Sequence, residues 1–277
     1  MFLYATIKVA NQVSSKGVFN RSHFRLAPSR LAAYLSPQPA ITGTPLHVFQ
    51  SRAGSAHPYH GHSLGGGLDD PLSTTGSEPA HPALYFVIHD TSNILCTRED
   101  FPGDSDAPDA SWNMAATWES SKQAHLFLTR DGAAYSPQGR TFSVPWRATK
   151  HEMTLGESTR GRFLHIENVQ LRRPEVEADA PLTNAEGHCV NDRIAQRPGF
   201  TSKQLHLLAL TYIAASARAG HWLIPAYHAV IDSSFPGGHD DPQNFDLVAW
   251  SQNIDAAVSE IERVSNIAGS QEEHFGR

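Results

Sequence analysis

The stretch from Tyr227-His228-Ala229-Val230-Ile231-Asp232 through Ser233-Ser234-Phe235-Pro236-Gly237-Gly238 to His239-Asp240-Asp241-Pro242 sets imidazoles and carboxylates on both sides of a Pro-Gly-Gly turn. Glycines free the turn of side-chain clashes and let it fold back, which brings His228 and the His239–Asp241 end close enough to share one ion. Zn²⁺ takes imidazole nitrogen and carboxylate oxygen, and a catalytic centre uses three protein ligands and keeps a position open. Two ligands lie in this stretch, so a third must come from elsewhere. The candidate is His89, where the apolar run Tyr85-Phe86-Val87-Ile88 breaks into His89-Asp90-Thr91-Ser92. Taken alone, a histidine at a strand end is more often a core or loop residue than a ligand.

Five separated segments carry a wider pattern. They are Val87-Ile88-His89-Asp90-Thr91-Ser92, Ala124-His125-Leu126-Phe127-Leu128-Thr129-Arg130-Asp131-Gly132, Phe163-Leu164-His165-Ile166-Glu167-Asn168, Thr201-Ser202-Lys203-Gln204-Leu205, and the His228-to-Asp246 stretch. In this order they resemble the zinc-dependent N-acetylmuramoyl-L-alanine amidases, the family that includes bacterial amidases, phage amidase-lysozymes and peptidoglycan recognition proteins. The resemblance spans about residues 83 to 264. It implies an α/β (α+β) fold with a central mixed sheet flanked by helices, and zinc held by His89, His228 and Asp241. It also implies hydrolysis of the amide between the MurNAc lactyl group and L-Ala, in intact peptidoglycan or in muropeptides.

The resemblance further places Glu167 beside the reacting water as general acid/base, against the bland reading of an edge-strand surface charge. Much of the family has a lysine two residues before the third ligand, as an oxyanion donor; here that position is His239. A lysine stays charged to about pH 10, whereas an imidazole ordinarily titrates near about 6.5. His151, in Trp146-Arg147-Ala148-Thr149-Lys150-His151, loosely matches a segment that lines the substrate groove. His125 matches a position that shapes the sheet. One register choice stays open: His239 could be the second ligand with His228 a bystander, although Ile224-Pro225-Ala226-Tyr227-His228 fits the family better. Two functions also stay open, a catalytic zinc amidase and a metal-free peptidoglycan-binding module. The complete ligand set with Glu167 favours the enzyme, and another acyl-peptide substrate is the remaining enzymatic alternative.

The whole chain bounds these readings. Its 277 residues can bury a sizeable core, and the net charge of −6 gives no basic stripe for nucleic acid. No apolar run is long enough for a membrane span. Cys96 and Cys189 are too few for a disulfide scaffold and read as two unpaired, partly buried thiols rather than one bridge. Residues 1–80 read as an N-terminal extension and linker, and 81–277 as the catalytic domain. The extension carries a short strand in Leu3 to Val9, a short helix from Ser29 to Leu35, and a Gly/Ser/His/Pro-rich linker from Ser51 to Pro79.

The N-terminus lacks the basic and apolar pattern of a signal peptide. A wall-directed enzyme without one would recycle fragments in the cytosol, lyse a host from a phage, or leave by a dedicated export machine as an antibacterial weapon paired with an immunity protein. The long extension tilts towards export. Within the catalytic region the sequence predicts strands at Leu84–Ile88, Lys122–Leu128 and Phe163–Asn168, and a long loop from Arg172 to Gly199. It predicts a helix capped by Thr201 and Gln204 and ending near Gly220, then a last helix from Phe245 to Val264 with Val248, Ile254, Val258 and Ile261 spaced for burial.

Overall fold

The structure, a computed structural model, describes residues 83–118, 121, 123–135, 147–219 and 223–257. The expected strand and helix of the extension, the His-rich linker, Trp146, and Val258 and Ile261 lie outside the described residues.

The apolar runs form the strands of one mixed sheet. They are β1 (Tyr85–Asp90), β3 (Leu126–Leu128), β4 (Ala134–Tyr135), β5 (Phe163–Asn168) and β8 (Ile224–Tyr227), in the order β4-β3-β5-β1-β8. β3, β5, β1 and β8 run parallel, and β4 turns back antiparallel at one edge. Pro225 is accommodated because β8 is the other edge, where a missing N–H breaks no ladder. The strand predicted from Lys122 is shorter than expected: Ala124 and His125 precede the paired segment, although the His125 N–H already donates to His165 O.

Successive strand residues face opposite sides, and the two sides are covered differently. Phe86, Ile88, Leu126, Leu128, Leu164 and Ile166 enter the main core. There the long helix Ser202–Ala219 sets Tyr212 edge-on against Phe86, and a helix over 247–257 sets Trp250 edge-on against Tyr212. Fully burying each such side chain contributes roughly 1.5–3 kcal/mol. The predicted capping box is present: Gln204 N–H donates to Thr201 Oγ1, and Thr201 N–H to Gln204 Oε1. Gln204 also ties the helix to the sheet by donating through Nε2 to Leu128 O and Val169 O. The opposite side carries Phe163 and His165, covered by a short helix Lys150–Leu155.

Among the described residues the α-helices, in chain order, are α1 (Ala115–Trp118), α2 (Lys150–Leu155), α3 (Ser202–Ala219), α4 (His228–Ile231) and α5 (247–257).

Two expectations are corrected. The Arg172–Gly199 stretch is not one loop: β6 (Leu171–Arg173) and β7 (Ile194–Ala195) join β2 (Asn93–Ile94) in a second sheet of order β2-β6-β7. Strands of two or three residues are too short to leave a periodic signal. Cys96 and Cys189 are not unpaired thiols but a disulfide, with Cα atoms 5.8 Å apart. That small sheet brings the segment after β2 against the Thr183–Cys189 bridge, a neighbourhood hidden by 93 positions of intervening chain.

Candidate metal centre

The site is built at the C-terminal ends of three adjacent parallel strands. His89 closes the apolar part of β1, Glu167 stands beside it in register on β5, and His228 follows β8 directly as the first residue of α4. All three positions therefore follow from strand order. Asp241 is delivered by the turn. Phe235 N–H donates to Asp232 O, Gly238 N–H to Phe235 O, and Ala229 N–H to Asp241 O, so the chain returns to its starting point. Gly237 has φ +64, and a Cβ on Gly238 would stand 2.5 Å from Asp232 O, so this return needs glycine at both positions.

Asp90, next to His89, braces the returning loop. Its carboxylate accepts from Gln243 N–H and lies against the buried Arg172 guanidinium at 2.8 Å, while its own N–H donates to Asp241 Oδ2. Arg172 also reaches Asp240.

Among the described residues, His89, His228 and Asp241 are buried and offer ligand atoms all within 4.8 Å of one another; together they could hold a metal ion. His89 Nδ1 lies 3.0 Å from His228 Nδ1 and 3.5 Å from Asp241 Oδ2, and His228 Nδ1 lies 2.9 Å from Asp241 Oδ1. Donors held tetrahedrally at about 2.0–2.1 Å from an ion stand about 3.3 Å apart, so these spacings fit one. Glu167 Oε1 is 3.9 Å from His89 Nδ1, and its buried Oε2 has no hydrogen-bond partner. A buried carboxylate beside three converging donors, with one of its oxygens lacking a protein partner, suits a cation and its bound water.

The far nitrogens of both histidines are also held. His228 Nε2 donates to Asp232 Oδ2 at 3.0 Å, and Asp232 is fixed in turn by Lys150 N–H and His151 N–H at the start of α2. His89 Nε2 lies 3.0 Å from His165 Nδ1.

Electrostatics follow from this crowding. Burial and then the neighbouring His228 charge push His89 down to about 3, so it is neutral near pH 7. Burial works against the charged form of His228, but Asp241 and Asp232 override it and raise His228 to about 10. Asp241 is held well below the ordinary carboxylate range: burial opposes this, and His228 and His89 outweigh it. Burial, reinforced by Asp241 and Asp90, raises Glu167 well above its ordinary value.

A consequence can be measured. In metal-free protein near neutral pH, His228 carries a proton on the nitrogen that would face the ion. Binding must therefore expel it, and apparent metal affinity should rise by up to about tenfold per pH unit between roughly pH 6 and 8. Calorimetry in buffers of different ionisation enthalpy should count at least one proton released; a pH-independent affinity would contradict His228 as a ligand.

The other sequence-predicted residues are placed as follows. His239 is largely exposed, stacks on His228 with ring centroids 4.5 Å apart, and lies 3.7 Å from Asp241 Oδ1, outside the converging trio. His151 is half-buried at the start of α2, edge-on to Phe163 and Phe235. His125 is buried, stacks on His165 and accepts its backbone N–H. Sequence reasoning missed Glu152, His165 and Asp232. Thr149-Lys150-His151-Glu152 is a legible capping box, present in α2, and His228/Asp232 has helical i,i+4 spacing. The bond from Glu152 to His165 is tertiary and leaves no local signal.

Comparison of the chain with protein-family models, with curated proteins and with solved structures found no match.

Proposed function

We propose that this protein is a zinc-dependent N-acetylmuramoyl-L-alanine amidase of the peptidoglycan-recognition-protein-like fold. The observation that carries the reading is the convergence of His89 Nδ1, His228 Nδ1 and Asp241 beside the buried carboxylate of Glu167, whose Oε1 stands 3.9 Å from His89 Nδ1. Two imidazoles, one carboxylate and room for a further position suit zinc. When bound, zinc supplies a Lewis acid that polarises an amide carbonyl and brings the pKa of water to about 7. The same donor set serves iron in oxygenases, but a buried carboxylate poised at the centre as a proton acceptor favours hydrolysis.

The chain's own groups complete the reaction. Glu167 takes a proton from the water whose oxygen attacks the lactyl carbonyl carbon. As the carbon–nitrogen bond breaks, it returns that proton to the leaving amine of L-Ala. His239, at the exposed rim and stacked on His228, donates to the oxyanion that develops on the carbonyl. His151, half-buried and edge-on to Phe163 and Phe235, is the residue that lines the substrate groove in this reading. The Cys96–Cys189 disulfide supports work outside the reducing cytosol, in keeping with export and lytic or antibacterial action on the wall. A binding-only module has no use for a complete ligand set or for Glu167.

Purified sacculi should release stem peptides with a free L-Ala amino terminus, leaving a free lactyl carboxylate on MurNAc, as read by mass spectrometry. A chelator should abolish release and added zinc should restore it. Intact sacculi and muropeptides after incubation with fully zinc-loaded protein would overturn the amidase reading.

A further inference from the structure

Glu152 and His165 are fully buried, lie outside the ligand trio, and form a continuous chain into it. Glu152 belongs to α2, His165 to β5 and His89 to β1, so three separate elements meet. The directions of the bonds can be assigned from their donors. Glu152 Oε2 accepts from Thr149 Oγ1 at 2.9 Å, Thr149 N–H at 3.2 Å and Ala148 N–H at 3.3 Å. His165 Nε2 lies 3.0 Å from Glu152 Oε2 and 3.2 Å from Oε1. A carboxylate already surrounded by donors can only accept, so Nε2 of His165 carries the proton. His165 Nδ1 is then the acceptor, and the His89 Nε2–H donates to it across 3.0 Å. That leaves the lone pair of His89 on Nδ1, the nitrogen that faces His228 and Asp241.

We propose that Glu152 and His165 are positioning residues that lock His89 in the tautomer able to ligate the metal through Nδ1. The inference rests on the metal-centre reading above. The parallel with His228 supports it: there a single carboxylate, Asp232, takes the Nε2–H directly. His89 lies one ring farther from its carboxylate, and His165 spans the gap. His125, stacked at 5.6 Å with its plane within 5° of His165, steadies the intervening ring. A purely structural role would need no such direction, and an apolar pair of similar volume could fill the space without the cost of burying a carboxylate.

The test combines zinc affinity with ring-nitrogen spectroscopy. In His165→Leu the acceptor is gone, and zinc affinity, measured by chelator competition, should fall about 10–100-fold. In His165→Asn the amide oxygen occupies the place of Nδ1 and accepts the same bond, so affinity should return to within about threefold of wild type. Nitrogen-15 spectra of histidine-labelled, metal-free wild type should show His89 protonated on Nε2 and bare on Nδ1. Equal zinc affinity in wild type and a folded His165→Leu variant would overturn the proposal, as would a His89 protonated on Nδ1. If His165→Leu does not fold, the wild-type spectrum decides. If wild type binds no zinc, the metal-centre reading fails, while the spectrum still judges the tautomer lock.

Discussion

His89→Ala, His228→Ala and Asp241→Ala should each purify as folded protein that retains well under one equivalent of zinc and has no detectable amidase activity. Each substitution removes one of three converging donors, and two donors do not hold zinc in a catalytic centre. The informative control is His239→Ala. Because His239 lies at the exposed rim, stacked on His228 rather than pointing among the donors, this variant should keep its zinc. It should lose about 10²–10³-fold in turnover, the range for a lost oxyanion donor. Metal analysis of the four variants, each checked by circular dichroism, settles the register. Zinc lost from His239→Ala and kept by His228→Ala would reverse the assignment.

Glu167→Gln should separate chemistry from binding. The amide keeps the shape of the side chain but cannot accept a proton, so turnover should fall about 10²–10⁴-fold with zinc retained. The fold should not suffer. Burial and the nearby carboxylates hold Glu167 protonated well above its ordinary range in metal-free protein. A group raised in this way favours the folded state at low pH, and that benefit is lost as pH climbs from the unfolded value through the folded one. Replacing it by a neutral amide should therefore leave the Tm of metal-free protein unchanged or higher at neutral pH. Near-normal turnover in the zinc-loaded variant would remove Glu167 from the reaction.

Two of the three strands that carry the site, β1 and β5, were legible because each is a nearly unbroken apolar run that ends in a polar residue; β8, four residues interrupted by Pro225, was not predicted. Tyr85 to Ile88 gives β1 with His89 at its end, and Phe163 to Ile166 gives β5 with Glu167. The period also places Phe163, His165 and Glu167 on one face. Asp241 was legible through the Pro-Gly-Gly turn. What escaped depends on contacts between distant segments. The two-residue strands β2 and β7 carry no period. Cys96 and Cys189 meet only because a small sheet joins their loops. Glu152 reads locally as a cap residue, and its bond to His165 exists only once α2 lies on the sheet.

The order of the strands has a consequence for how the molecule is made. His89 and His228 are 139 positions apart, and their strands are neighbours only after long crossovers have closed. Contacts of such separation form late, because the chain must first give up the entropy of closing those loops. A metal ion held by this trio would therefore not serve as a folding template in the way zinc does for a zinc finger, whose ligands are close in sequence. The scaffold must be assembled by its apolar strands and by α3 before any ion finds three ligands together. A ligand variant thus loses the centre after folding is complete.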